Sequence, residues 1–298
     1  MDKYAQKALK SCDFTLSNGE IEELLVKNKY NHTKYSICNG KVSFSVHGTV
    51  KNRRRNILTY LLKKVVSIEK YSELNIEFFV NTDDWGSRDD VKDLPILMYS
   101  AHEDSKNILI PDYLFLHNYQ IYSGRNKNGL SANVLLKRLN GSVKYENKLD
   151  KCFFRAGTSK NRDIIKMFSK DTCEHVDAEW SHKDFMSYED MFKHKFVISH
   201  YMKWDSVYFF LKSDLLMFNY TGFQYRLWYD LFVEDDVDYV SFQSRDEFDS
   251  KFKKLVNNPT KCKDIIQHST EIADTWFTYD NAIEYMGELL LELSKKTN

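Results

Sequence analysis

Apolar and polar positions along the first half of the chain follow two different periods. Residues 18–27 (NGEIEELLVK) place apolar side chains at helical spacing behind acidic residues, which predicts an amphipathic helix. Residues 41–48 alternate strictly with period two, as a half-buried strand does. Residues 52–66 return to helical spacing, and residues 76–81 and 94–100 are short apolar runs that end in polar residues, as buried strands do. The apolar face of the helix that opens at residue 52 consists of Ile57, Leu58, Leu61, Leu62, Val65 and Val66.

The second half of the chain repeats the alternation of strands and helices. Short apolar runs predict strands at residues 151–155, 196–199, 215–218 and 238–242. Helical segments are predicted at residues 160–169, between the second and third of these strands, at 246–257 and at 260–295. This alternation indicates an α/β protein with parallel sheets, and two such blocks predict two Rossmann-like halves. A polar stretch at residues 123–150 separates the blocks, so we predict one domain over residues 1–148 and a second over 149–298.

Composition fits a folded protein and excludes several classes of function. Hydrophobic residues make up 42% of the 298 residues, enough for two packed cores. The 43 basic and 43 acidic residues cancel, so bulk electrostatic binding to nucleic acid or to an anionic membrane is not expected. The basic run at residues 53–55 is interpreted as a solvated helix face. No apolar run predicts a transmembrane helix or a signal peptide, and the five cysteines form no Cys-x-x-Cys pair, so we expect a protein of the reducing cytoplasm.

The strongest local signal for chemistry lies at residues 153–163 (FFRAGTSKNRD). A buried strand ends there, a turn of small residues follows and a helix begins, which puts backbone N–H groups where a phosphate can bind. Arg155 and Arg162 flank the turn and can clamp a diphosphate through bidentate hydrogen bonds. An ordinary helix start, capped by Thr158 or Ser159, is the alternative. The segment lacks the full dinucleotide-binding and P-loop patterns.

A second candidate is the turn at residues 78–85 (FFVNTDDW). Carboxylates just beyond the carboxyl end of a buried strand lie where open α/β sheets bind ligands. Asp83 or Asp84 can therefore act as a general base that removes a proton from an acceptor hydroxyl. A turn capped by one of these aspartates is the alternative.

Two further acidic segments are weaker candidates. Asp177 or Glu179 can hydrogen-bond a ribose or a base, or can simply end a surface strand. Asp236 and Asp238 form an Asp-x-Asp triplet that can hold a divalent cation bridging a nucleotide diphosphate, although such triplets are frequent in acidic loops. The nine histidines match no zinc pattern, and the Gly-x-Ser-x-Gly elbow of serine hydrolases is absent.

These segments, in this order, resemble the protein O-glucosyltransferase family, glycosyltransferase family 90. Residues 81–85 resemble its Asn-x-x-Asp-aromatic turn, and residues 154–163 resemble its Phe-Arg-Gly…Thr-Ser-x-x-Arg-Asp segment, one residue shorter here. Residues 176–180 resemble its Val-Asp-Ala-Glu-aromatic segment. Residues 195–218 and 225–240 resemble the strands and the aromatic-rich stretch that follow.

The resemblance implies a GT-B-like fold, with two Rossmann-like domains facing a cleft and a C-terminal helix that can cross back. It implies an inverting, metal-independent transfer of a sugar, most often glucose or xylose, from a UDP-sugar to a hydroxyl of a glycan, lipopolysaccharide or glycoprotein acceptor. By this resemblance Asp84 corresponds to the catalytic base and Asp83 is its neighbour. The donor-binding residues that it implies are Arg155, Gly157, Thr158, Ser159, Arg162, Asp177 and Ser206. It implies no cofactor, because the UDP-sugar is a co-substrate.

The chain departs from the family in one region. Family members usually have Asn/Asp-x-x-Gly before a helix and Ser-x-Arg inside it, whereas this chain has Ser199, Met202, Ser206 and Tyr208 at the corresponding positions. Eukaryotic members also carry an endoplasmic-reticulum signal and disulfides, and neither is expected for this chain. We therefore expect a bacterial or large-virus enzyme that acts in the cytoplasm.

Two other functions stay open at this point. One is a metal-dependent glycosyltransferase that uses Asp236 and Asp238. The other is a non-catalytic protein that binds carbohydrate or nucleotide with the same fold.

Overall fold

The computed structural model describes residues 1–10, 12, 14–82, 91–112, 116, 132–156, 163–168, 174–180, 188–200, 204–222 and 225–297. The chain forms two compact units. The first comprises Met1–His117, Gln224–Phe232 and Thr278–Asn298, and the second comprises Asn118–Phe223 and Val233–Phe277. Each unit is therefore built from separate stretches of the chain.

The helices are, in chain order, α1 (Asp2–Leu9), α2 (Asn18–Lys27), α3 (Asn52–Val66), α4 (Ala132–Leu139), α5 (Asp163–Met167), α6 (Tyr188–Met191), α7 (Trp204–Leu211), α8 (Arg245–Val256), α9 (Pro259–Trp276) and α10 (Tyr279–Thr297). The strands are β1 (His32–Cys38), β2 (Lys41–His47), β3 (Ile76–Asn81), β4 (Leu97–Met98), β5 (Ser100–His102), β6 (Ile108–Leu109), β7 (Leu149–Ala156), β8 (Val176–Trp180), β9 (His194–His200), β10 (Leu216–Tyr220), β11 (Tyr225–Leu227) and β12 (Val240–Phe242). Short 3-10 turns cover Glu69–Tyr71, Tyr145–Asn147 and Trp228–Leu231.

A five-stranded mixed sheet of order β2-β1-β3-β4-β6 is the framework of the first unit. Strand β1 is antiparallel to β2 and β3, whereas β3, β4 and β6 are parallel. The turn from β1 to β2 contains Asn39 (φ 48°) and Gly40 (φ 70°), and a type I′ hairpin turn requires positive φ at both residues. The expectation of a wholly parallel sheet is wrong for this unit, because a two-residue hairpin can join only antiparallel neighbours.

Helices α3 and α10 pack together in the first unit. The predicted apolar face of α3 is buried at every position except Ile57, which is half-buried. Glu288 of α10 is buried and accepts a hydrogen bond from the hydroxyl of Tyr71 (2.6 Å) and another from Lys70. The two donors hold the pKa of the Glu288 carboxyl below its usual value, against the opposing effect of burial, which is the largest single influence on this group. The last helix is therefore fixed to the first unit by apolar packing and by a buried charged group.

A five-stranded parallel sheet of order β8-β7-β9-β10-β12 is the framework of the second unit. In chain order the strands run 2-1-3-4-5, the doubly wound arrangement in which the direction of winding reverses between the first and third strands, here β7 and β9. One face of the sheet packs against α8 and α9 through an aromatic core. Its aromatic members include Phe154, Phe168, Phe196, Phe218, Phe242, Phe248 and Phe252.

The predicted α/β class is confirmed by these two sheets and their helices. The four strands predicted in the second half correspond to β7, β9, β10 and β12. The single helix predicted over residues 260–295 is two helices, because the backbone leaves the helical conformation at the buried Phe277 (φ −93°, ψ 56°). Across the described residues, none of the helices combines the length and the apolar character that crossing a membrane requires.

Gly287 of α10 provides a test of the packing in the first unit. A Cβ atom at this position would lie 2.3 Å from the ring of Tyr71. We expect Gly287→Ala to lower the free energy of unfolding by about 1–3 kcal/mol through overpacking, as measured by urea denaturation. Gly19→Ala in α2 is the matched control, because its Cβ would meet no atom closer than 3.9 Å. Alanine favours a helix over glycine, so this control should gain about 0.5–1 kcal/mol. Equal effects of the two substitutions would contradict the packing described here.

Candidate functional site

The carboxyl edge of the parallel sheet is the first place to look for a ligand site in the second unit. Open α/β sheets bind ligands outside the carboxyl ends of their strands, at the point where the strand order reverses. In this sheet that point lies between β7, which ends at Ala156, and β9, which ends at His200. Strand β7 leads directly into the turn that the sequence predicts to hold a diphosphate.

Arg155, next to the end of β7, forms an ion pair with Asp177 of β8. Its Nη2 lies 3.2 Å from Asp177 Oδ1, and its Nη1 donates to the carbonyl oxygens of Asp177 (2.6 Å) and Phe154 (3.0 Å). The guanidinium also stacks on the ring of Phe153, 4.1 Å from the centroid. The structure thus brings together two of the residues predicted to bind the donor, because β7 and β8 are neighbours in the sheet.

His194, at the start of β9, lies beside this ion pair. Its Nε2 lies 3.2 Å from Asp177 Oδ2, so the carboxylate of Asp177 lies between a guanidinium and an imidazole. The Nδ1 of His194 donates to the carbonyl oxygen of Asp190 (3.0 Å), since a carbonyl can only accept. The side chain is almost fully buried and packs on Phe153. Sequence analysis missed this residue because scattered histidines carry no spacing signal, and only the pairing of β7 with β8 and β9 brings it to Asp177.

The other predicted donor residues lie wholly or partly outside the described residues. Gly157, Thr158, Ser159 and Arg162 lie outside the described residues. Ser206 lies in α7, but its side chain is outside them too. Their assignment to the donor stays a prediction, and the structure contributes the strand end from which the turn starts.

The carboxyl end of β3 in the first unit immediately precedes the predicted base in the chain. Strands β3, β4 and β6 are parallel, so their carboxyl ends meet at one edge. Strand β3 ends at Asn81, which is buried and donates a side-chain hydrogen bond to the carbonyl of Asn31 (3.2 Å). Asp83 and Asp84 follow two and three residues later in the chain and lie outside the described residues.

Arg54 anchors the backbone next to that turn. Its Nη1 donates to the carbonyl oxygen of Thr82 (2.7 Å), and the side chain is only 7% exposed. The interpretation of residues 53–55 as a solvated face is therefore wrong for Arg54, although Arg53 is exposed. The sequence does not indicate which arginine is buried, because three consecutive arginines on a helix point in three directions and only packing decides among them.

Asp112 is a buried acidic residue near this edge that the sequence did not single out. It follows β6, is 1% exposed and accepts a hydrogen bond from the hydroxyl of Tyr229 (2.7 Å). Nearby, Tyr285 of α10 donates to the carbonyl of Leu109, the last residue of β6 (2.7 Å). Two tyrosine hydroxyls from distant parts of the chain thus satisfy polar groups where β6 ends.

The Asp-x-Asp triplet makes contacts that stabilise its own loop. Asp238 is buried, accepts a hydrogen bond from the backbone N–H of Glu234 (2.8 Å) and lies 3.1 Å from His268 Nδ1. Asp236 is exposed and has a positive φ of 60°. Over the described part of the chain, no three His, Cys, Asp or Glu side chains come close enough together to hold a metal ion.

Comparison with known protein families gives a match over most of the chain. The model of glycosyl transferase family 90 matches residues 13–298, nearly the whole length. No curated protein sequence matches the chain significantly.

The contact between Arg54 and Thr82 yields a stability test. We expect Arg54→Met to lower the free energy of unfolding by about 1.5–3 kcal/mol, because a hydrogen bond from a charged donor is lost and a buried carbonyl is left without it. Arg53→Met is the matched control on the exposed side of the same turn and should change stability by less than about 0.5 kcal/mol. Urea denaturation of both variants measures the difference. Similar values for the two would mean that the Arg54 contact adds little to the fold.

Proposed function

The chain belongs to glycosyl transferase family 90, and from this membership we propose that it transfers a sugar, glucose or xylose, from a UDP-sugar to a hydroxyl group. The acceptor that we propose is a glycan, a lipopolysaccharide or a glycoprotein. The observation that carries the proposal is the parallel sheet of the second unit, whose order reverses at β7, the strand that leads into the predicted diphosphate turn.

The donor side of the proposal rests on the end of β7. The turn after Ala156 would hold the diphosphate with its backbone N–H groups, the hydroxyls of Thr158 and Ser159, and Arg162. Arg155 would contribute from the strand end, and Asp177 would lie near the uridine. A guanidinium has five N–H donors, so the observed contacts of Arg155 with Asp177 are compatible with a diphosphate contact.

The reaction that we propose is a direct displacement with inversion. Asp84 accepts the proton of the acceptor hydroxyl while that oxygen forms a bond to the anomeric carbon of the sugar. The bond from this carbon to the diphosphate oxygen breaks, and its electron pair leaves with UDP. Two arginines and a row of N–H groups would stabilise the negative charge that develops on the leaving group, so we propose that no metal is required. Arg54 supports this assignment, because it fixes the carbonyl of Thr82 just before the turn that carries the base.

We also propose a GT-B-like architecture. It is supported by the doubly wound order of the second unit's sheet and by the return of the chain to the first unit, to which α10 belongs. The first unit's sheet is mixed, so the proposal requires a Rossmann-like arrangement in which β1 and β2 form an added antiparallel hairpin.

A ligand screen tests the proposed function. Thermal unfolding is measured with UDP-glucose, UDP-xylose, UDP-galactose, UDP-N-acetylglucosamine, GDP-mannose and UDP, each with and without EDTA. A ligand at about 100 times its dissociation constant adds roughly 2.7 kcal/mol of stability. We expect one UDP-sugar to stabilise the protein and to release UDP slowly, with no effect of EDTA. Loss of activity in EDTA would favour the metal-dependent alternative that uses Asp236 and Asp238, and no response to any nucleotide would favour a non-catalytic carbohydrate-binding protein.

Substitution of the proposed base separates chemistry from binding. We expect Asp84→Asn to lower kcat by about 100-fold or more, because an amide cannot accept the proton. The affinity for UDP, measured by calorimetry, should change less than about twofold, since the base contacts the acceptor. Asp83→Asn is the matched control and should retain most of the turnover. Loss of turnover in Asp83→Asn, with normal turnover in Asp84→Asn, would move the base to Asp83.

A further inference from the structure

A row of polar side chains crosses the carboxyl edge of the second unit's parallel sheet. Ser199 of β9 pairs with Asn219 of β10, and Asn219 pairs with Ser241 of β12. Paired residues on neighbouring parallel strands project from the same face, about 5 Å apart. Side chains alternate along a strand, and Ile198 and Phe218 belong to the aromatic core. The row therefore lies on the opposite face, and Ser199 is on the strand where the order of the sheet reverses.

Two members of the row have polar atoms without a partner. Ser199 is 1% exposed and Asn219 is 2% exposed. Within the described residues, neither Ser199 Oγ nor Asn219 Oδ1 has a hydrogen-bond partner. Ser241 differs, because Asp235 accepts hydrogen bonds from both its hydroxyl and its backbone N–H. Buried polar atoms without a partner are costly, and native proteins retain them where a ligand or a water molecule completes the bonding.

The chemistry of this pair favours one kind of ligand group. A carboxamide has an acceptor oxygen and a donor nitrogen, and a serine hydroxyl both donates and accepts. A phosphate offers only acceptor oxygens, so it would leave the amide oxygen unmatched. A sugar hydroxyl donates and accepts, and can therefore satisfy the amide oxygen and the serine hydroxyl together.

We propose that Ser199 and Asn219 form a polar pair that binds a sugar hydroxyl of the UDP-sugar donor. This inference rests on the proposed function and adds to it two residues that recognise the donor. The hydroxyl belongs either to the transferred sugar or to the ribose, which present the same chemistry. Binding supplies the missing hydrogen bonds, so the two residues contribute to affinity and not to the stability of the unliganded protein.

The test uses Asn219→Leu and Ser199→Ala, which remove the polar atoms with little change of volume. Two matched controls accompany them. Ser241→Ala removes the neighbouring hydroxyl of the same row, whose bonds are internal. Thr33→Val removes another buried hydroxyl without a partner in the described residues, in β1 of the first unit. Calorimetry measures the dissociation constants of UDP-glucose, UDP and 2′-deoxy-UDP, and thermal unfolding measures the stability of each unliganded variant.

We expect Asn219→Leu and Ser199→Ala each to weaken the binding of UDP-glucose at least tenfold. The melting temperature of each unliganded variant should equal or exceed that of the natural protein. Unchanged UDP affinity would assign the hydroxyl to the transferred sugar. A weaker affinity for UDP, now equal to the affinity for 2′-deoxy-UDP, would assign the hydroxyl to the ribose. Wild-type affinity for all three ligands in both variants, or equal weakening in Thr33→Val, would overturn the inference and leave the proposed function standing. Failure of the natural protein to bind any of the three would overturn both. If Asn219→Leu folds poorly, the dissociation constants measured for Ser199→Ala still test the inference, because this substitution is smaller.

Discussion

The parallel pairing of β7 with both β8 and β9 is the constraint on which the second unit depends. Because parallel strands bring their carboxyl ends to one edge, this pairing aligns the ends of three chain segments that are far apart in sequence. Lys148, just before β7, fixes the start of the strand through hydrogen bonds to the backbone carbonyl (3.0 Å) and the carboxylate (2.6 Å) of Asp214. Burial lowers the pKa of the Lys148 amine, and the carboxylate opposes that shift. Through this pairing, the buried Lys148 holds the start of β7 against the loop that precedes β10.

The polar groups of this sheet are of two kinds, and the difference has a physical basis. Arg155, Asp177 and His194 are charged or ionisable, and such groups are tolerated in an interior only when they contact one another or backbone carbonyls. Ser199 and Asn219 are neutral, so leaving them without internal partners costs far less than leaving a charge alone. The sheet thus contains an ion pair of Arg155 and Asp177, with His194 beside it, and a neutral pair whose polar atoms have no partner among the described residues.

Features that are decided by a few neighbouring residues could be predicted from the sequence. Helix α2 has the predicted bounds because its start is a capping box, in which Ser17 and Glu20 satisfy each other's backbone N–H groups. Strand β1 escaped prediction because its residues (HTKYSIC) mix polar and apolar types, and its strand conformation depends on pairing with β2 and β3 on either side. The same limit applies to the site. The motifs located the strand ends, but the contact between Arg155 and Asp177 depends on register, and the pairing of Ser199 with Asn219 depends on strand order.

Tyr208 marks the departure of this chain from the family that the structure describes in most detail. Members of the family usually have an arginine at this position, whereas Tyr208 is buried and its hydroxyl donates to Asn133 of α4 (2.5 Å). The tyrosine therefore replaces a cation with an internal link between α7 and α4, and its ring also packs under the amine of Lys212. Under the proposed function, no cation at this position would compensate the diphosphate, and that charge would come from Arg155 and Arg162. The proposed contact of Ser199 and Asn219 with a sugar hydroxyl would then be a neutral one, and neutral contacts discriminate between sugars by the positions of their hydroxyls rather than by charge.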